Sequence, residues 1–135
     1  MEWNDNVLDM WNLMAFTMTS NAIFFASCAF LIWVGFRFSG NIYNTPSTPI
    51  FAKILATTFC GSVALMTYGT MAQAGQVRNN VAEVFSAMAD TGVNIGPAAE
   101  QLVELSGGPA VNIVQIVFVA SAILVQLAQI WMKKS

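Results

Sequence analysis

Three stretches of this chain contain no Asp, Glu, Lys or Arg: residues 10–36, 54–77 and 105–132. Each is longer than the run of about 20 apolar helical residues that crosses a hydrocarbon core about 30 Å thick. Their length and lack of charge predict transmembrane helices rather than the buried helices of a soluble core. The charged residues sort into the gaps. Glu2, Asp5 and Asp9 precede the first stretch, and Arg37 and Lys53 bracket its connection to the second. Arg78, Glu83, Asp90, Glu100 and Glu104 lie between the second and third, and Lys133 and Lys134 follow the third.

Composition agrees. The 135 residues are 56% hydrophobic and only 9% charged, with a mean hydropathy of +0.62, whereas soluble domains carry about 25% charged residues. Net charge is −2 and no basic cluster is present, which argues against nucleic acid as a partner. Cys28 and Cys60 both lie in apolar stretches and read as buried thiols rather than a disulfide framework. The acidic N-terminal residues do not resemble the basic start of a cleavable signal peptide.

The expected fold is an all-α membrane protein, a single integral membrane domain over residues 1–135. Its three transmembrane helices cover about 11–36, 52–75 and 108–132, with an extracytoplasmic helical loop over 76–107. Trp3 and Trp11 suit one interface, and Trp33 with Tyr43 the other. Gly40, Asn41, Asn44, Pro46, Ser47 and Pro49 predict a turn between the first two spans. The second helix is expected to end near Gly75. Beyond it, Val81, Val84, Phe85 and Met88 recur at helical spacing among polar residues, predicting one short amphipathic helix. Pro97 opens a second, through Leu105, and Gly107, Gly108 and Pro109 precede the third span.

Short flanks set topology through Lys and Arg. Arg37, Lys53, Lys133 and Lys134 lie on one side and only Arg78 on the other, which places the C-terminus in the cytoplasm and the N-terminus outside. The expected location is a bacterial or organellar inner membrane. The segment between the second and third spans carries four acids against Arg78, so packing on protein is a better expectation for it than binding to anionic lipid.

Inside a bilayer, small residues and polar side chains drive helix association. On the third span Asn112, Gln115, Gln126 and Gln129 fall on one stripe. Unpaired amides in hydrocarbon cost several kcal/mol on the order of, so they should find partners on other helices or line a water-filled path. The second span carries two small-residue stripes, one with Thr57, Gly61, Ala64 and Gly75 and one with Thr58, Ser62 and Gly69. On the first span Asn21 shares a stripe with Thr17, Cys28 and Gly35. The candidate packing or partner residues are therefore Asn21, Gly61, Ser62, Gly69, Asn112, Gln115, Gln126 and Gln129.

Catalytic signatures are missing. The chain has no histidine, no charge within a span, no paired carboxylates and no glycine-rich phosphate loop. A nucleophilic hydroxyl or thiol would lack its base. Met10, Met14 and Met18 stack at i, i+4 and i+8 near the outer interface. Thioethers bind copper(I), which makes them a weak metal candidate against the ordinary use of methionine as a gap filler. No cofactor is expected on side-chain ligands, although the aromatic first span suits contact with lipid or pigment. The expected role is a non-catalytic small subunit of a larger membrane complex, in a hetero- or homo-oligomer, and not an enzyme on its own. A homo-oligomeric channel lined by the third helix is the alternative, and a copper(I)-binding membrane protein the third reading.

Overall fold

The computed structural model describes residues 5–133. They form four helices in chain order: α1 (Asp5–Tyr43), α2 (Ile50–Asp90), α3 (Gly96–Leu105) and α4 (Ile113–Trp131). No strand occurs among the described residues. By length and composition α1, α2 and α4 can each cross a bilayer, the make-up of an integral membrane protein.

The helices differ greatly in length. At 1.5 Å per residue, the 39 residues of α1 and 41 of α2 each run about twice the hydrocarbon thickness, while the 19 residues of α4 just match it. α2 does not end near Gly75. It continues through the segment expected to be a separate amphipathic helix and ends at Asp90. The reason is local: polarity rises after Val77, but no proline or turn cluster interrupts the chain before Thr91. A change from apolar to polar composition moves a helix out of lipid without breaking its hydrogen bonds.

Where α2 does end, the backbone shows why. Gly92 has φ +90°, the left-handed conformation that glycine adopts without a Cβ clash. The Val93 N–H donates to the Met88 carbonyl at 3.1 Å and the Gly92 N–H to the Ala89 carbonyl at 3.0 Å. That pair of bonds is a Schellman stop, and Met88 and Val93 both pack on the apolar core beside it. The Asn94 side chain then accepts from the Gly96 N–H, and Pro97 sits in the first turn of α3.

The chain divides into two compact units. Unit 1 comprises the chain up to Ile23 together with Ala72–Ala110, and unit 2 comprises Phe24–Met71 together with the chain from Val111. The core of unit 1 is Val7, Val81, Phe85, Ile95 and Ala99, with Met10, Trp11, Met14, Leu102 and Val103 packed against it. Trp11 and Phe85 lie with ring centroids 5.1 Å apart. The core of unit 2 is thinner: Ala56, Cys60 and Ile130, flanked by Ile42, Phe59 and Ile123. Among the described residues every acidic one belongs to unit 1, whereas Arg37, Lys53 and Lys133 belong to unit 2.

Candidate partner interface and the polar contacts beside it

The amides of the third span divide between two roles. Asn112 is the N-cap of α4 rather than a residue within it. Its Oδ1 accepts from the Gln115 N–H at 2.9 Å, and Gln115 Oε1 accepts from the Asn112 N–H at 3.0 Å. This reciprocal capping box satisfies two backbone donors that the first turn leaves open. It also explains why α4 begins at Ile113 and not near residue 108. Replacing Asn112 with Ala should cost about 1 kcal/mol, read as lower resistance to thermal or detergent unfolding. An unchanged midpoint would show that the cap contributes nothing.

Gln126 and Gln129 instead reach α1 within unit 2. Gln126 is 3% exposed, and its Nε2 donates to the Ile32 carbonyl at 3.1 Å. The buried Ser39 hydroxyl donates to Gln129 Oε1 at 2.7 Å. At the end of α4, Trp131 Nε1 donates to Thr57 Oγ1 on α2 at 2.9 Å. These contacts are polar bonds between helices of the kind that lipid, which offers no competing partner, leaves intact. Gly35 makes room for the first: a Cβ there would lie 2.6 Å from Gln126 Nε2.

Threonine hydroxyls mostly bond within their own helix. Thr57, Thr58, Thr67 and Thr70 each donate to the carbonyl four residues back, the ordinary way a span carries a hydroxyl at little cost. Cys28 Sγ lies 3.8 Å from Thr70 Oγ1, while Cys60 Sγ lies against Gly35, seven positions further along α1. The two thiols are both buried and both free.

The small residues of α2 separate by environment. Around Gly61 and Gly69 an added Cβ would meet nothing within 4 Å; Ser62 and Gly69 are exposed and Gly61 half-buried. Gly75 is different, since a Cβ would overlap the Ala110 backbone. The spacing of small residues signals close approach somewhere on α2, but not at which glycine.

Unit 1 adds a feature that periodicity did not reveal. Residues Met10, Leu13, Met14 and Thr17 of α1 line one recess with Val77, Asn80, Val81 and Val84 of α2. The first turns of α1 therefore run beside the polar part of α2, with Arg78, Asn80 and Glu83. Yet Leu8, Leu13 and Phe16 are 45%, 56% and 76% exposed. Trp33 and Arg37 are in cation–π contact at 5.7 Å.

Asn21 is half-buried on α1. Of the methionine candidates, Met10 and Met14 pack against the core of unit 1, and Met18 is half-buried. Among the described residues no three His, Cys, Asp or Glu side chains come together. Comparison with models of protein families, with curated proteins and with solved structures gives no match.

Proposed function

We propose that this chain is a non-catalytic integral membrane subunit that packs against partner polypeptides of a larger membrane complex. The observation that carries this reading is the exposed Leu13 beside the polar stretch of α2, with Leu8 and Phe16 also exposed on the same part of α1. Apolar side chains inside the bilayer need no cover but lipid, whereas a patch level with Arg78 and Glu83 needs protein. The exposed stripe at Ser62 and Gly69, with Gly61 on the adjoining stripe, offers a second surface suited to close helix contact.

In this reading the N-terminus and residues 76–107 lie outside and the C-terminus lies in the cytoplasm of a bacterial or organellar inner membrane. The far end of α2 and α3 form an extracytoplasmic amphipathic segment. A homo-oligomeric channel has less support, because Gln126 and Gln129 are engaged on α1 and Asn112 and Gln115 on each other. Copper(I) binding draws on Met10 and Met14, which the core of unit 1 already uses.

Mild detergent extraction of the full chain tests the subunit reading. Different polypeptides should co-purify in fixed ratio, and the pair Leu13→Asn and Phe16→Asn should lower their recovery roughly fivefold or more, as loss of an apolar hot spot does. Recovery of the chain only with copies of itself would sink the proposal.

A further inference from the structure

We propose that the basic end of unit 2 holds the phosphate headgroup of an anionic phospholipid. The inference does not depend on the subunit reading. A recess of about 390 Å³ is lined by Tyr43, Lys53, Lys133, Ile42, Ile130 and Met132, with Pro46 at its edge. Two lysines and a tyrosine line one space together with apolar residues. Among the described residues unit 2 contains no Asp or Glu, so no acidic side chain there stands beside either lysine.

Lys53 is half-buried and its Nζ lies 5.9 Å from the centroid of the Trp131 ring. Trp131 is itself fixed by its bond to Thr57. The stem of Lys53 therefore lies along apolar surface with its charge at the rim, the posture of a lysine at a membrane interface. Tyr43 and Trp131 are the aromatic types that occupy headgroup depth.

The neighbouring surface fits the rest of the molecule. A second recess, of about 420 Å³, shares Ile42 and is otherwise lined mainly by Phe38, Ala52, Leu55, Ala56 and Phe59. An acyl chain entering that apolar groove would carry its phosphate to the lysines. Inorganic phosphate offers the same anion without the chain, and the apolar groove is the reason to favour the lipid. Basic pockets between membrane helices are a recognised way to bind anionic headgroups.

The test uses the purified full chain in nanodiscs of either phosphatidylcholine or an equal mixture of phosphatidylcholine and phosphatidylglycerol. Native mass spectrometry after release then counts retained lipid. Phosphatidylglycerol should be retained about fivefold or more over its share of the mixture, and Lys53→Gln with Lys133→Gln should abolish the preference. Arg37→Gln, outside the recess, should keep it. Retention in proportion to the mixture by the wild-type chain would overturn the proposal without recourse to any variant. So would an undiminished preference in the double variant, or displacement of the lipid by millimolar inorganic phosphate.

Discussion

Gly75→Ala should destabilise the isolated chain by about 2–3 kcal/mol, although the same change at Gly61 or Gly69 should stabilise it by up to about 1 kcal/mol. Alanine is the better helix former by about that amount, so a glycine inside α2 costs stability unless its missing Cβ is needed. At Gly61 and Gly69 nothing would meet the new methyl. At Gly75 it would overlap the carbonyl oxygen, carbonyl carbon and Cα of Ala110. That neighbour is backbone, and cannot rotate aside as a side chain would. Overpacking of this kind costs about 1–3 kcal/mol, added to the lost opportunity for the loop to close.

Asn79 Nδ2, donating to the Gly108 carbonyl at 3.2 Å, holds the same loop on the same helix, and Gly107 turns it with φ +93°. The measurement is the unfolding midpoint of the three variants in one detergent. Equal shifts at all three glycines would show that Gly75 is not a packing position. If Gly61 and Gly69 face a partner, their alanine variants should also weaken co-purification while stabilising the isolated chain. That opposite pair of effects separates partner contact from internal packing.

Gly35→Ala and Gln126→Ala should each cost about 2 kcal/mol alone and less than their sum together. The Gly35 methyl would crowd Gln126 Nε2 at 2.6 Å and Cys60 Sγ at 3.3 Å. Gln126 can yield only by giving up its bond to the Ile32 carbonyl, worth about 1 kcal/mol. Removing Gln126 leaves a void against α1, with the usual cost of a buried truncation. In the double variant the alanine methyl enters the space that the amide vacates. A double-mutant cycle in detergent should therefore return a coupling of about 1 kcal/mol between residues that pack directly. Strict additivity would show that they do not meet.

The positions that these two predictions use were only partly legible in the sequence. Gly35 and Gly75 appeared among the small residues of their stripes, but so did Gly61 and Gly69, which have open space around them. Sequence spacing reports which face of a helix a residue occupies. It cannot report what lies opposite, because that depends on the register of another helix far along the chain. The amide stripe of α4 shows the same limit. Helical periodicity placed Asn112, Gln115, Gln126 and Gln129 together, yet Asn112 lies before the first turn and ends the stripe there. Its capping role was encoded in the Asn-x-x-Gln spacing, a signal outweighed by the expectation that an apolar stretch is helical throughout.

What the sequence by itself determined is the class of structure: three helices long and apolar enough to cross a membrane, and charge sorted to the segments between them. Both follow from the cost of placing charge and open backbone in hydrocarbon, which acts residue by residue and needs no knowledge of neighbours. The structure decided how far the helices run, which glycines are close contacts and which amides bridge helices. It also gathered Lys53, Lys133 and Tyr43 around one recess and left Leu13 open beside the polar part of α2. Those outcomes depend on packing between distant segments, where each contact exists only because two separate stretches of chain arrive at the same place.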